Sequence, residues 1–262
     1  MIIRLASYPK SGNTWIRVFL NNLFYSNEDR SNINSQKIGQ FPNRSHFNDL
    51  TDNLDDIKEF SENCINAQEK INLSNQPKFF KTHHAYWKSG KHTFTNNLNS
   101  LGVIYVVRDP RNIVTSIKNH YDFDDYNNAL DFLLNDKNVI GLRNSSTEVD
   151  LPHIISSWKN HYNSWKKMEK NYLLIKYENL LENPLIEFKK ITNYLEKLID
   201  KKFEEEQILK SIDNCNFIRL KDQENELGFI EAQKDKFGKA KPFFNLGPNN
   251  DWNKLLEKNI AR

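Results

Sequence analysis

The chain has 262 residues, with 37 lysines and arginines against 34 aspartates and glutamates, a formal net charge of +3. This near balance disfavours a dedicated nucleic-acid binder, which would carry a strongly basic face, and the length predicts one domain over residues 1–262. Two distant cysteines disfavour a disulfide framework and indicate a reducing, cytoplasmic compartment. The N-terminus lacks a signal-peptide pattern, and no window approaches the ~20 apolar residues of a membrane span.

The first third of the chain alternates predicted strands and helices. Residues 2–7 form an apolar run that predicts a strand, and a Pro/Gly turn follows. Apolar residues at helical spacing then predict a helix from Thr14. Residues 79–82 predict a second strand. Residues 103–107 predict a third, with the unbroken β-branched and aromatic run of a buried parallel strand.

The remaining elements follow the same alternation. Asp109 and Pro110 are a typical cap and first residue of a helix, predicted over residues 112–121. The other predictions are loops with a helix near 54–71, irregular chain over 122–150, helices over 152–169, 184–198 and 201–212, a strand over 172–176, and a mostly loop tail over 221–262. Strands alternating with helices predict an α/β fold, with a central parallel β-sheet flanked by helices.

The turn after the first strand has the composition of an anion-binding loop. It reads Tyr-Pro-Lys-Ser-Gly-Asn-Thr-Trp over residues 8–15. A glycine turn there aims backbone N–H groups and a helix N-terminus at an anion, and Lys10 adds a full charge. It is not a Walker A loop, in which the lysine follows the second glycine. On the loop alone, an ordinary strand-to-helix turn with a surface lysine is an equal alternative.

Five segments in order resemble sulfotransferases that use 3′-phosphoadenosine-5′-phosphosulfate (PAPS). Residues 9–15 resemble the family's 5′-phosphosulfate loop, and 80–83 its Lys-Thr-His catalytic segment. Residues 106–116 resemble its 3′-phosphate segment, 177–180 its Tyr-Glu-Asp-Leu segment, and 243–252 its late Phe-Phe-Arg-Lys-Gly loop. The resemblance implies a P-loop-like nucleotide-binding architecture and transfer of a sulfuryl group from PAPS to an acceptor hydroxyl or amine, releasing 3′-phosphoadenosine-5′-phosphate (PAP).

The resemblance implies three catalytic residues. Lys10 would meet the bridging oxygen of the leaving phosphate, Lys81 the sulfuryl oxygens, and His83 would take the acceptor's proton. A histidine suits proton transfer near neutral pH. His84 is adjacent, but alternate side chains of a strand share a face, so Lys81 and His83 point together and His84 points away.

The resemblance also implies the nucleotide site. It comprises Lys10, Ser11, Gly12, Asn13, Thr14 and Trp15 in the loop, Arg108 and Ser116 for the 3′-phosphate, Tyr177 and Phe217 near the adenine, and Gly247. One departure stands out: Asn245 and Leu246 occupy the positions of the family's Arg-Lys pair, which grips the 3′-phosphate. Either Lys239, Lys241 or Lys254 supplies that charge, or the nucleotide is held less tightly.

Two other functions stay open on the sequence. A P-loop nucleotide phosphotransferase would depend on magnesium, and an inactive PAP- or PAPS-binding protein would transfer nothing. No metal site is implied, because the histidines are scattered and no HExxH pattern occurs. The expected acceptor is a small molecule or a carbohydrate, with a phenol or other small alcohol, a sugar and a lipid headgroup all left open, and the oligomeric state is open. Phe123, Tyr126 and Phe132 are candidates for an apolar acceptor pocket.

Overall fold

The computed structural model describes residues 1–25, 32–141, 151–168, 171–258 and 260–261. The chain divides into two compact units built from interleaved segments. The first unit contains Met1–Tyr8, Ile38–Val107 and Leu134–Leu174, and the second contains Pro9–Lys37, Arg108–Leu133 and Ile175–Arg262. The single domain expected over residues 1–262 stays a prediction.

The strands belong to the first unit, apart from the last two residues of the ninth. They are β1 (Ile2–Ser7), β2 (Gly39–Gln40), β3 (Lys78–Thr82), β4 (Lys88–Ser89), β5 (His92–Thr93), β6 (Ser100–Val107), β7 (Val139–Ile140), β8 (His153–Ile154) and β9 (Tyr172–Lys176). Two helices complete this unit, α2 (Ile57–Asn72) and α5 (Trp158–Trp165), with a 3-10 turn at Arg44–Phe47. The remaining helices are α1 (Asn13–Tyr25), α3 (Pro110–His120), α4 (Tyr126–Leu134), α6 (Tyr177–Glu182), α7 (Pro184–Leu198), α8 (Glu205–Asn214), α9 (Phe217–Leu227) and α10 (Trp252–Leu255), with a 3-10 turn at Gly247–Asn249.

The central sheet has five strands in the order β2-β3-β1-β6-β9. β1 lies in the middle and pairs in parallel with both β3 and β6, and β2 pairs in parallel with β3. All six residues of β1 are buried, as expected for a strand with neighbours on both sides and a covered sheet. The predicted α/β class with a central parallel sheet is confirmed.

One aromatic-rich core holds the first unit together. Ala6, Val103 and Tyr105 of the sheet share a buried cluster with Phe60 of α2 and Trp165 of α5. Burying a side chain of this size stabilises the fold by roughly 1.5–3 kcal/mol. The cluster fixes the carboxyl ends of β1 and β3, where the predicted catalytic segment begins.

The second unit is built from packed helices. α1 packs on α8, α7 packs on α6 and α8, and α3 contacts α10. Phe19 of α1 and Phe188 of α7 stack with their ring centres 4.1 Å apart. In the described part of the chain, no helix combines the length and the apolar character needed to cross a membrane.

Three predicted stretches differ in type or extent from the structure, and the helix predicted over 201–212 is shifted to α8, Glu205–Asn214. Part of the irregular region is helix α4, because Ala129 and Leu133 are one turn apart and both buried. The helix expected over 152–169 is shortened to α5, because Ser156 has φ 59° and Ser157 caps a later start. The tail expected as loop from 221 begins inside α9, which Asn216 caps and Gly228 ends with φ 69°. Residues 26–31, 142–150, 169, 259 and 262, which belong to predicted stretches, lie outside the described residues.

Candidate active site

The predicted anion loop, which lies in the second unit from Pro9 onward, has a sharply curled backbone. Lys10 has φ 66° and Gly12 has φ 105°, and α1 begins at the next residue, Asn13. Left-handed residues alternating with ordinary ones point successive N–H groups into one concavity, which suits an anion. Asn13 is buried and Thr14 half-buried in the first turn of α1. The loop therefore has the predicted geometry for an anion at a helix N-terminus.

Gly12 packs directly against Tyr177. A Cβ at residue 12 would lie 2.5 Å from Cδ2 of Tyr177, so the ring position excludes any larger residue. The Arg108 guanidinium lies over the same ring, 4.2 Å from its centre, and Nη1 donates a hydrogen bond of 3.1 Å to the Lys10 carbonyl. Four predicted residues, Lys10, Gly12, Arg108 and Tyr177, thus lie together.

Among the buried polar atoms at this loop, Ser11 Oγ and Arg108 Nε have no hydrogen-bond partner within the described residues. Arg108 is 7 % exposed and Ser11 1 %. Burial lowers the pKa of Arg108, and the nearby Tyr177, Glu178 and Asp109 partly offset that effect. Buried polar groups are normally paired, so these atoms fit a phosphate or sulfate oxygen from a bound nucleotide.

The aromatic residues predicted near the adenine lie in two places in the second unit. Trp15 meets Tyr177 and Phe188 edge-on, with ring centres 5.9 and 5.8 Å away. Phe217 lies against Gly247, which has φ 53° and whose added Cβ would lie 2.2 Å from the Phe217 ring. Residue 247 must therefore be a glycine, because its φ is positive and because a side chain there would collide with the Phe217 ring.

Phe243 is a residue of this site that the sequence did not single out. The Lys10 ammonium lies 3.9 Å from the centre of its ring, a cation–π distance. The backbone N–H groups of Phe243 and Phe244 donate to the Glu224 carboxylate of α9 at 2.6 and 2.9 Å. A glutamate one helix earlier thus fixes the aromatic partner of Lys10, a long-range pairing without a local sequence signal.

Ser116 lies half-buried on α3, on the helix face that meets the tail. One turn earlier, Asn112 Oδ1 accepts from the Trp252 N–H at 3.0 Å, and the Asn112 carbonyl accepts from Asn250 Nδ2 at 2.9 Å. One turn later, His120 meets the Phe243 ring edge-on at 6.0 Å. Ser116 therefore shares with Asn112 and His120 the face of α3 that contacts the tail.

The three lysines considered as substitutes for the family's Arg-Lys pair differ in their ion pairs and in their exposure. Lys241 forms an ion pair with Asp122 at 2.6 Å, Lys254 is 82 % exposed and 3.5 Å from Asp251, and Lys239 is exposed. Asn245 is exposed and Leu246 half-buried.

A different cation, Arg111, contacts the late loop over residues 243–252. It lies 3.6 Å from the Trp252 ring centre. It also pairs with Asp109, whose carboxylate caps α3 by accepting from the Arg111 backbone N–H at 2.9 Å. The sequence analysis did not predict this contact between Arg111 and the tail.

The predicted catalytic segment lies in the first unit, at the end of β3. His83 Nδ1 is 2.9 Å from the Ser7 carbonyl and 3.3 Å from Ser7 Oγ. A carbonyl only accepts, so Nδ1 carries the proton and Nε2 carries the lone pair. Burial first, and then the Lys81 ammonium, lower the pKa of His83 to about 3. The imidazole is therefore neutral near pH 7, with Nε2 as a base.

His84 points to the opposite side, as the strand alternation predicted. It is fully buried between Phe60 and Phe94, with ring centres 5.5 and 4.7 Å away. Its Nδ1 accepts from Trp87 Nε1 and the Ile154 N–H, each at 3.3 Å. His84 is therefore a core histidine, and Lys81 and His83 form the more accessible pair.

Metal-ligand geometry is not found in the described residues, because no three His, Cys, Asp or Glu side chains lie close enough to share an ion. Cys64 and Cys215 are both free and buried. The parallel sheet, the curled glycine loop at a helix N-terminus and the buried arginine define a nucleotide-binding α/β protein.

Comparison with known proteins identifies the family. The model of the sulfotransferase domain matches residues 3–262. Mouse sulfotransferase 1 family member D1 is 25 % identical over 95 % of this chain and 76 % of its own length. Firefly (Photinus pyralis) luciferin sulfotransferase is 25 % identical over 88 % of this chain and 60 % of its own length.

Two solved structures share the fold. A retinol dehydratase complexed with androsterone and inactive cofactor PAP has a TM-score of 0.61 and 18 % identity, covering 99 % of this chain and 77 % of the other. A mouse sulfotransferase complexed with PAP has a TM-score of 0.56 and 19 % identity, covering 99 % and 80 %. The chain belongs to the sulfotransferase domain family, and it is accordingly a PAPS-dependent sulfotransferase.

Proposed function

We propose that this chain transfers the sulfuryl group of PAPS to a hydroxyl or amine of a small-molecule acceptor, with Lys10, Lys81 and His83 as catalytic residues. The observation that carries this assignment is the loop in which Lys10, Gly12, Arg108 and Tyr177 meet around two unpaired buried polar atoms. Such a loop needs an anionic ligand. The family supplies one in PAPS, and two structures with this fold are complexes with PAP.

The nucleotide-binding roles follow from the contacts of each residue. The backbone and side chains of residues 10–14 bind the 5′-phosphosulfate at the N-terminus of α1. Arg108 and Ser116 bind the 3′-phosphate, because Arg108 keeps an unpaired Nε–H for a charge-assisted hydrogen bond. Trp15, Tyr177, Phe217 and Gly247 surround the adenine.

The chemical step is an in-line transfer in which position and fixed charge lower the barrier. His83 Nε2 takes the acceptor's proton as the acceptor oxygen or nitrogen bonds to sulfur. Lys81 neutralises the sulfuryl oxygens. Lys10 stabilises the negative charge that grows on the phosphate oxygen as its bond to sulfur breaks, and PAP leaves.

The aromatic residues next to Lys10 favour an apolar acceptor. Phe243, which lies on the Lys10 ammonium, contacts His120, and Tyr121 packs against Phe123 and Phe132 at 5.8 and 4.9 Å. A ring-lined surface binds an aromatic or aliphatic alcohol better than a sugar, because it offers few hydrogen-bonding groups. The names of two relatives, luciferin sulfotransferase and flavonol 3-sulfotransferase, agree with a small acceptor.

This proposal includes the domain organisation and the cellular compartment of the protein. Residues 1–262 act as one sulfotransferase domain, in keeping with the family match over 3–262. The protein works in the cytoplasm, in keeping with two free buried cysteines and a relative named cytosolic sulfotransferase 7 from Arabidopsis thaliana.

Transfer of labelled sulfate from PAPS tests the function. The wild-type chain is incubated with excess EDTA and a panel of phenols, aliphatic alcohols, amines and sugars. We expect a labelled phenol or alcohol product without added magnesium, and a loss of several orders of magnitude in Lys10→Met but not in the control Lys58→Met, which changes an exposed lysine of α2. A magnesium requirement with ATP as donor would instead identify the phosphotransferase. PAP binding without any transfer would identify the inactive binder.

A further inference from the structure

A line of buried hydrogen bonds runs from the start of the anion loop to the predicted base, inside the first unit. Tyr105 Oη lies 2.8 Å from His161 Nδ1, and His161 Nε2 lies 3.1 Å from the His83 carbonyl. A backbone hydrogen bond from Tyr8 reaches the Tyr105 side chain. Tyr8, Tyr105 and His161 are each at most 1 % exposed.

The direction of every bond in this line is determined. The His83 carbonyl can only accept, so His161 Nε2 carries the proton and Nδ1 accepts from the Tyr105 hydroxyl. Burial lowers the pKa of His161 to about 3, so the ring stays neutral and holds this one tautomer. The His83 carbonyl selects this tautomer, and the Tyr105 hydroxyl stabilises it by donating to Nδ1. Without that hydroxyl, Nδ1 loses its donor, and the tautomer that donates to the His83 carbonyl is favoured less strongly over the one that cannot.

Helix α5 holds two consecutive carbonyls of the catalytic segment. His161 binds the carbonyl of His83, and Trp165, one turn further along α5, donates from Nε1 to the carbonyl of His84 at 2.9 Å. Ser164 Oγ accepts from the Tyr86 N–H at 2.9 Å. These residues lie just beyond Thr82, where the ladder of β3 ends. Beyond Thr82, side chains of α5 thus bind the backbone groups of residues 83–86 that a neighbouring strand would bind within a sheet.

We propose that His161 and Tyr105 are positioning residues that fix the backbone of His83, an inference that rests on the proposed role of His83 as the base. The Ser7 carbonyl holds the ring of His83, and His161 holds its main chain. The Ser7 carbonyl contacts the His83 ring directly, and the Tyr8 backbone is linked to the His83 carbonyl through Tyr105 and His161. Ser7 and Tyr8 are neighbours at the end of β1, where the anion loop begins. A displacement of about 1 Å at a reacting group can lower a rate by about a hundredfold.

Tyr105→Phe removes only the hydroxyl that donates to His161 Nδ1. We expect kcat with the best acceptor to fall roughly tenfold to a hundredfold, while the KM for PAPS and the Kd for PAP stay unchanged. Tyr172→Phe is the matched control, because its ring packs on Tyr105 with centres 6.1 Å apart and its buried hydroxyl has no partner among the described residues. Equal kcat in the two variants would overturn the proposal.

His161 variants provide a rescue test. His161→Gln keeps a side-chain N–H that can reach the His83 carbonyl, whereas His161→Leu has none. We expect His161→Gln to retain much more activity than His161→Leu when each is corrected for its folded fraction. Similar losses in both would overturn the proposal and leave His161 as a core residue.

Imidazole NMR separates this inference from the proposed function, because it needs no acceptor. In protein labelled with nitrogen-15 at histidine, we expect the wild-type His161 signal to show a proton on Nε2 and that of His83 a proton on Nδ1. Tyr105→Phe should mix the His161 tautomers and broaden His83, and Tyr172→Phe should change neither. Unchanged spectra in Tyr105→Phe would contradict the positioning role of Tyr105 and His161. Absence of sulfuryl transfer in the wild type would contradict only the proposed function.

Discussion

Gly12 and Tyr177 are in direct contact, and the contact leaves no room for a side chain at residue 12. A Cβ there would lie 2.5 Å from Tyr177 Cδ2, and Gly12 also has φ 105°. The same tyrosine ring supports the Arg108 guanidinium. A single aromatic side chain thus sets both the shape of the anion loop and the position of the arginine beside it.

Gly12→Ala should therefore weaken PAP binding by more than tenfold and lower the melting temperature. Gly238→Ala is the control: it has φ 83° but no atom within 4 Å of its added Cβ. Backbone strain at positive φ costs each variant roughly 1–2 kcal/mol, so a larger loss of stability in Gly12→Ala than in Gly238→Ala reports the collision with Tyr177. Calorimetric titration with PAP and thermal unfolding measure both effects. Equal PAP affinity in the two variants would show that the Tyr177 contact does not shape the loop.

His83→Ala should lose at least about a hundredfold in kcat, the usual contribution of a general base. His84→Ala should keep most of its kcat per folded molecule but lose roughly 2–4 kcal/mol of stability, because it empties a site between Phe60 and Phe94. Rates at low temperature, with urea unfolding alongside, separate the two effects. Loss of turnover in a folded His84→Ala protein, with His83→Ala active, would reverse the assignment.

The buried histidines should make the protein sensitive to mild acid. Burial lowers the pKa values of His153 and His161 to about 3, below the unfolded value near 6.5. Between those values the unfolded chain binds protons that the native state does not. The free energy of unfolding therefore falls as the pH drops below 6.5, by up to about 1.4 kcal/mol per pH unit for each histidine.

Urea unfolding at pH 7.5 and 5.5 measures this loss in a range where most carboxylates stay ionised. His153→Gln keeps a polar side chain beside Gln40. Between pH 7.5 and 5.5 its free energy of unfolding should fall less than that of the wild type, by the contribution of one histidine. The same pH dependence in wild type and His153→Gln would contradict a neutral buried His153.

Restoring the family's charged pair should tighten the 3′-phosphate site. Asn245 is exposed, while Lys241 is engaged by Asp122. Asn245→Arg with Leu246→Lys should raise PAP affinity about tenfold, in line with two charge-assisted hydrogen bonds, without affecting adenosine 5′-phosphate. Leu73→Lys with Asn75→Arg adds the same charge at exposed positions of the first unit and should change neither affinity. No gain in PAP affinity would mean that Arg111 or another cation already fills the role.

The sequence predicts what depends on local pattern. β1, β9 and α7 have the predicted bounds, because each is an apolar or capped segment next to a proline or polar turn. The N-terminal loop and the opposite directions of His83 and His84 follow from strand geometry in the same way.

The partners of those residues depend on tertiary contacts, which a single sequence does not contain. Ser7, Phe243 and His161 are examples, since each meets its partner across at least 76 positions of the chain. One signal was available for His161: it lies four residues before Trp165 on α5, and so on the buried face of that helix.

Nucleotide titration without magnesium tests the central claim most directly. PAP and adenosine 5′-phosphate are titrated calorimetrically into the wild type, Arg108→Ala and the surface control Arg219→Ala. We expect the wild type and Arg219→Ala to prefer PAP, and Arg108→Ala to lose that preference while still binding adenosine 5′-phosphate. Equal binding of both nucleotides by the wild type, or an undiminished PAP preference in Arg108→Ala, would contradict the assigned PAPS site.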